Sequence, residues 1–223
     1  MKDIRQLYEN NWSTMTGLQM SEESADYGYT IVNQLPKGKC LDIGCGDGTN
    51  ALRLQKLGFE AEGSDISQNA VNKCLKRGIK AKRVDMNVPK LPYASNYYSL
   101  IWMSDVIEHV FWPESVLSEV WRMLVKGGHV YITTPNVAWW GIRLQIMAGK
   151  TLRDIHPEHI HWFNNTQLIR LIEKSKLSVI SNAGYNRLMP YPVVTRLPYL
   201  KKFNSVGKMN SLLSYTMCLL ARK

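Results

Sequence analysis

The sequence predicts an α/β fold: a doubly wound parallel sheet with helices on both faces. Two observations carry this. From residue 39 onward, apolar runs of strand length alternate with segments whose apolar residues recur at three- and four-residue spacing. A glycine-rich turn follows the first such strand and opens the first such helix, which places a ligand site in the crevice beyond the carboxyl ends of the strands. Residues 39–43, 60–65, 80–85, 97–103 and 129–134 read as strands. Between them, 48–57, 67–77 and 113–124 read as helices, as in the run Val116, Leu117, Val120, Leu124. Upstream, 21–34 reads as a helix with Ser21 as its start, Glu22 and Glu23 in its first turn and Pro36 as its stop. It is expected to pack beside the first strand, so that residues 1–36 form a cap over the site. Downstream, 165–174 is a further helix, and 177–183 and 215–221 a sixth and a seventh strand. Residues 184–210, with Pro190, Pro192, Pro198 and Gly207, fit neither template. All 223 residues are read as one domain.

Hydrophobic residues make up 45% of the chain, which excludes a disordered protein. Four scattered cysteines without a C-x-x-C pair favour reduced thiols in the cytoplasm over a disulfide framework or a zinc site. There is no apolar leader segment at the N-terminus and no run of about 18 apolar residues. The expectation is a cytoplasmic protein, neither exported nor integral to a membrane. Its net charge of +10 is uneven: residues 1–138 hold 15 basic and 15 acidic side chains, whereas 139–223 hold 13 and 3. The second part of the chain therefore faces something anionic or is a solvated face that lacks counter-charges.

The glycine turn reads Cys40-Leu-Asp-Ile-Gly-Cys-Gly-Asp-Gly-Thr49. Its spacing is G-x-G-x-G, and the third glycine of a dinucleotide-binding G-x-G-x-x-G would fall at Thr49. Asp42 and Asp47 put carboxylates where a pyrophosphate needs donors, so a ligand with a cationic head fits better. Asp65, at the end of the second strand, can accept both hydroxyl protons of a ribose. Asp85 offers an acceptor for an adenine amino group, and Met86 a flexible apolar wall for its ring. Together they describe a nucleoside with a cationic tail and no phosphates.

Over roughly residues 37–183 the sequence resembles the class I S-adenosylmethionine-dependent methyltransferases, through LDIGCGDGTN (41–50), GSDIS (63–67), VDMN (84–87), SDVIEHV (104–110) and MLVKGGHVYITTPN (123–136). Within that family it is similar to the type 11 and type 23 small-molecule and quinone-pathway O-methyltransferases. The resemblance implies a Rossmann-like sheet of seven strands in the order 3-2-1-4-5-7-6, the last antiparallel. It also implies S-adenosylmethionine as donor, with Asp42, Gly44, Cys45 and Gly46 holding the methionine part, Asp65 and Ile66 the ribose, Asp85 and Met86 the adenine, and Ser104 lining the site.

On the acceptor side, Asp105, Glu108 and His109 follow the fourth strand, and His156, Glu158, His159 and His161 come after the fifth. Methyl transfer to oxygen needs a deprotonated acceptor, and histidine is suited to remove that proton. The Asn-Pro-Pro-aromatic tetrad of amide- or base-nitrogen methyltransferases is absent. His109, with Glu108 and His161, is therefore the expected catalytic set for O-methylation. The stretch D-x-x-E-H, then T-P-N, then H-x-x-H-x-H-W-F also resembles small-RNA 2′-O-methyltransferases and catechol O-methyltransferases of quinone pathways. In those, E-x-x-E-H is associated with a divalent metal, so Glu108, His109 and one of His159 or His161 would be ligands by resemblance. This chain departs by having Asp105 in place of the first Glu, and metal-free relatives carry the same D-x-x-E-H. Of the chemical readings, deprotonation by His109 stands ahead of metal assistance; a third reading has Glu108 and His109 start a helix and hold the cofactor-side loop by hydrogen bonds.

Segments 137–164 and 184–210 fall where acceptor-binding insertions or a lid belong, and both interleave aromatic and aliphatic residues with Lys and Arg. The expected acceptor is a small molecule or a lipid- or glycan-linked hydroxyl, with peripheral contact to an anionic membrane. RNA ranks lower for want of a known RNA-binding module, and DNA is not expected. A reading of a different class is a non-catalytic nucleoside-binding scaffold, against which the intact Asp42 and Asp65 argue.

Overall fold

The computed structural model describes Glu9, residues 22–187 and residues 205–223. In chain order the elements are α1 (Glu22–Val32), β1 (Lys39–Ile43), α2 (Thr49–Lys56), β2 (Glu60–Asp65), α3 (Gln68–Lys76), β3 (Ala81–Arg83), β4 (Tyr98–Ser104), α4 (Pro113–Met123) and β5 (Leu124–Pro135). There follow α5 (Trp140–Met147), α6 (Leu152–Ile155), α7 (Asn165–Lys174), β6 (Ser178–Asn186), β7 (Ser205–Lys208) and β8 (Ser214–Arg222). Ser21, the expected helix start, and Pro190, Pro192 and Pro198 lie outside the described residues.

The sheet order is β3-β2-β1-β4-β5-β8-β6-β7. The first five of these strands run parallel, and β8 enters antiparallel between β5 and β6, with Thr133 opposite Cys218. The expected order is thus present with one correction: the sheet has eight strands rather than seven. The additional strand, β7, pairs with β6 at the edge, Gly207 opposite Gly184. Its four residues, Ser-Val-Gly-Lys, are too short for an alternating pattern, and an edge strand needs a partner on only one side. β6 also runs on to Asn186, whereas β3 stops at Arg83 and leaves Asp85 in the turn beyond it.

Both faces are covered because successive strand residues point to opposite sides. Leu41, Ile43, Ile101 and Met103 pack on one side in a core with Val116, Leu117 and Val120 of α4 and Leu168 and Ile172 of α7. Cys40, Leu100, Trp102 and Tyr131 join Val32 of α1, Ala51 and Leu54 of α2 and Cys74 of α3 on the other. There Trp102 lies between Tyr29, stacked at 4.9 Å, and Tyr131, at 4.4 Å between ring centroids. Among the described residues no helix is long and apolar enough to cross a membrane.

Candidate active site

The turn between β1 and α2 holds Gly44, Gly46 and Gly48 in the left-handed region, at φ 70°, 53° and 82°. Two N–H groups, of Gly44 and Cys45, donate to the Ser64 carbonyl at 2.8 and 3.0 Å and tie this turn to the end of β2. Gly44 is constrained a second way: a Cβ placed there would stand 2.5 Å from Cγ2 of Val106, in the loop after β4. The loops beyond β1 and β4 therefore touch, which is what a site spanning both strand ends requires.

Asp65 accepts from the Gly46 N–H at 3.0 Å and the Ser67 N–H at 2.9 Å, one on each oxygen. A carboxylate offers about four lone-pair positions, so it can still take a further donor. Burial pushes the Asp65 carboxyl up, and the N–H groups of Ser67, Gly46 and Ile66 oppose that shift. Ile66 is half-buried beside it, and its carbonyl accepts from Arg83 Nε at 3.0 Å.

Asp42 is fully buried, and neither of its oxygens has a hydrogen bond of good geometry. Burial, with the Cys74 thiol adding to it, holds its carboxyl well above the usual carboxylate range, and a looser interaction with the Ala51 N–H offsets part of this. A buried acid without a partner at the end of β1 suits a cationic ligand group. Asp47, read from the sequence with Asp42, is instead engaged by Arg77 at 2.8 Å and by the Thr49 N–H at 3.1 Å. Cys45 is buried with its sulfur 3.6 Å from that of Cys74, a contact between positions 29 apart. Asp85 turns back on Asn87, accepting its N–H at 2.9 Å and its side-chain amide at 3.0 Å, with Met86 buried beside it. Ser104, the last residue of β4, has its hydroxyl 3.0 Å from that of Thr133.

Beyond Ser104 the chain turns at Asp105, a non-glycine residue at φ 51°. Its N–H donates to the Thr133 carbonyl at 3.0 Å and its carboxylate accepts from the Thr133 hydroxyl at 3.2 Å. Glu108 and His109 follow in a turn rather than at the start of a helix, which begins at Pro113. The segment after β5 leaves and re-enters at one place, where Asn136 bridges Phe163 and the Val137 N–H donates to the Phe163 carbonyl at 2.9 Å. On its return, the N–H groups of Ile160 and His161 both donate to the Glu108 carbonyl, at 2.9 and 3.0 Å. Asn164 then starts α7 with a reciprocal cap to Gln167.

This pinning gathers Glu108, His109 and His159, whose ligand atoms all lie within 4.8 Å of one another. His109 Nδ1 is 3.1 Å from the Glu158 carbonyl oxygen, which can only accept. The proton therefore sits on Nδ1, and Nε2, 3.9 Å from Glu108 Oε1, carries the lone pair. The His159 ring meets that of His109 edge-on at 4.7 Å and stacks on that of His156 at 4.4 Å. His161, named with Glu108 and His109 from the sequence, is not part of the cluster; its Nε2 lies 3.4 Å from the Phe111 carbonyl. Glu108 is 1% exposed, and neither carboxylate oxygen has a hydrogen bond of good geometry.

Burial, with Asp105 nearby, pushes the Glu108 carboxyl well above its usual range, and burial brings Asp105 up to about 6. Burial lowers His109 and His156, and takes His159 down to about 3. The imidazoles are thus neutral near pH 7. Two neighbours escaped the sequence reading. Tyr215 of β8 has its phenol raised by burial, an effect to which Asp105, Glu158 and Glu108 contribute, and the Arg187 guanidinium stands 5.0 Å over its ring. Both arrive from distant strands, and no local motif marks either.

The family described as "Methyltransferase domain" matches residues 19–182. The ubiquinone biosynthesis O-methyltransferase of Pseudoalteromonas translucida is 27% identical over 161 residues, 66% of this chain and 67% of that protein. The enzyme of the same name from Vibrio cholerae is 25% identical over 179 residues, 75% of this chain and 73% of its own length. In fold, the chain is similar to a methyltransferase of Thermotoga maritima described as a possible histamine N-methyltransferase, with a TM-score of 0.70, 19% identity and coverage of 91% and 88%. It is also similar to the methyltransferase found in a complex with the Trm112 activator of Haloferax volcanii, with a TM-score of 0.68, 13% identity and coverage of 100% and 98%. With the glycine turn, the open position on Asp65 and the unpartnered Asp42 at adjoining strand ends, these likenesses place the chain in the methyltransferase-domain family, as a class I enzyme that uses S-adenosylmethionine.

Proposed function

We propose that this enzyme methylates a hydroxyl oxygen on a small-molecule, sugar or lipid-linked acceptor, with His109 as the base. The observation that carries the reading is the setting of the His109 ring: Nδ1 lies 3.1 Å from the Glu158 carbonyl, which can only accept, and this leaves Nε2, 3.9 Å from Glu108 Oε1, as the nitrogen that takes a proton. The loop bearing it also carries Val106, which touches the glycine turn. The donor supplies an electrophilic methyl group on a sulfonium. In our reading, Asp42 faces its cationic part, the backbone at Gly44, Cys45 and Gly46 shapes the methionine region, and Asp65 takes the ribose hydroxyls with Ile66 beside it. Asp85 and Met86 border the adenine, and Ser104 closes the base of the site. As the acceptor oxygen forms its bond to carbon and the carbon–sulfur bond breaks, the hydroxyl proton passes to His109 Nε2. The two curated relatives named as O-methyltransferases support an oxygen acceptor.

A second reading has its own observation. Glu108, buried without a good partner, and the two neutral imidazoles of His109 and His159 form a compact donor set that suits a divalent cation. Such an ion would lower the pKa of a bound hydroxyl. Asp105 stands outside those three, in keeping with its shorter side chain. A screen of lipid extract, small phenols, sugars and RNA with labelled donor, with and without chelator, separates these readings. Turnover on a hydroxyl compound that survives chelator and is lost in His109→Ala supports the base. Chelator-sensitive turnover at unchanged affinity for S-adenosylhomocysteine supports the metal, and methylation confined to RNA or to a nitrogen overturns the acceptor class.

A further inference from the structure

The segment between β5 and α7 is anchored at its base and laid bare beyond it. Trp139 is buried, the indole N–H groups of Trp139 and Trp140 both donate to the Arg187 carbonyl at 2.9 and 3.1 Å, and Ile142 is buried beside them. From Arg143 to Thr151 every residue except Gln145 is exposed. Helix α5 reads Trp-Gly-Ile-Arg-Leu-Gln-Ile-Met, with only Arg143 and Gln145 polar. A helix apolar on most sides is ordinarily buried. Here Leu144, Ile146 and Met147 are 51%, 44% and 82% exposed. Helical spacing places Arg143, Leu144 and Met147 along one outward arc, and Lys150 follows, exposed, just beyond the end of the helix. Arg153 extends the positive charge, and its neighbour Asp154, exposed like it, accepts from the Thr151 N–H at 2.8 Å, so three cations stand against one acid over residues 143–154.

We propose that residues 143–153 form a docking face for an anionic lipid bilayer. Apolar side chains flanked by cations match a surface with an acyl interior and negative headgroups, and the charge balance of 13 to 3 over residues 139–223 has the matching sign. An uncharged protein groove would account for Leu144 and Met147 but not for Arg143, Lys150 and Arg153. The same segment continues through His156 into His159, so a docked face would present the acceptor side to the bilayer. That last consequence rests on the acceptor reading above, whereas docking itself does not.

The test is co-sedimentation of the full chain with vesicles of phosphatidylcholine alone or mixed with phosphatidylglycerol, with titration of S-adenosylhomocysteine on each variant as a check of fold. We expect binding to the mixed vesicles only, weakened by raising salt, and weakened at least about tenfold by Leu144→Asp with Met147→Asp and by Arg143→Glu with Lys150→Glu. Donor affinity stays unchanged in both. Absence of binding to the mixed vesicles, or binding that ignores both pairs of substitutions, overturns the proposal. So does self-association of the free protein that Met147→Asp abolishes, since a second copy then covers the face. If docking holds but lipid extract yields no methylated product, the acceptor reading fails and the docking face stands.

Discussion

The two halves of the sheet's carboxyl edge are built in opposite ways. Beyond β1 and β2, backbone groups fix the shape: two N–H groups converge on the Ser64 carbonyl and two more on the Asp65 carboxylate. Beyond β4 and β5, side chains from remote segments meet, with Glu108 and His109 from one loop, His159 from another and Tyr215 from the last strand. Charge divides the same way, with 15 basic and 15 acidic residues through position 138 and 13 against 3 after it. A ligand common to the whole family can be held by backbone, which every sequence has. An acceptor that varies has to be met by side chains, which substitution can change without disturbing the donor half.

Separability of the halves is what the largest expected effect addresses. His109→Ala should lower turnover by about 10²–10⁴-fold. Titration of S-adenosylhomocysteine should show its affinity changed by less than about twofold; a parallel loss of affinity would mean the halves are one unit. Next is Gly44→Ala, which combines left-handed backbone strain with the Val106 contact and should cost about 2–4 kcal/mol, roughly thirty- to a thousandfold in donor affinity. Adding Val106→Ala should restore only the part due to contact.

Proton uptake gives a third measure. Asp42 is held well above its usual range, so the fold binds a proton that the unfolded chain releases, and this contribution to stability falls as pH rises from the unfolded value through the raised one. A cationic group arriving beside Asp42 favours the ionised form. Donor affinity should therefore rise with pH, by at most about tenfold per unit, with proton release visible as a calorimetric heat that depends on the buffer. Identical heats in phosphate and Tris would remove Asp42 from the donor site. The smallest effect is expected for Asp47→Asn, because that half-exposed carboxylate is engaged by Arg77: less than about 1 kcal/mol in stability and about threefold in donor affinity.

The half we assign to the donor was legible in the sequence because its residues come in short contiguous runs at strand ends, spaced by single helices. Asp42, the glycines and Asp65 stand at the strand ends where the sequence puts them, whereas the pairing of Asp47 with Arg77, 30 residues away, has no local signal. The acceptor half was legible as a collection but not as a geometry. His159 and His161 are two apart in an irregular turn, where no periodicity decides which one faces Glu108; the paired bonds from Ile160 and His161 to its carbonyl decide it. The partnership of Cys45 with Cys74 and the approach of Arg187 to Tyr215 are likewise products of topology. β7 escaped because four residues carry too little pattern for their pairing to be read.

The contact between Gly44 and Val106 also bears on how such an enzyme can diversify. With 2.5 Å between an added carbon at Gly44 and a methyl of Val106, position 44 is closed to a side chain while residue 106 keeps its present bulk, and residue 106 lies within the loop that carries Glu108 and His109. A side chain at position 44 would have to displace Val106, and with it the loop that leads to Glu108 and His109. The glycine at 44 and the bulk at 106 are therefore a pair that changes together, one small where the other is large.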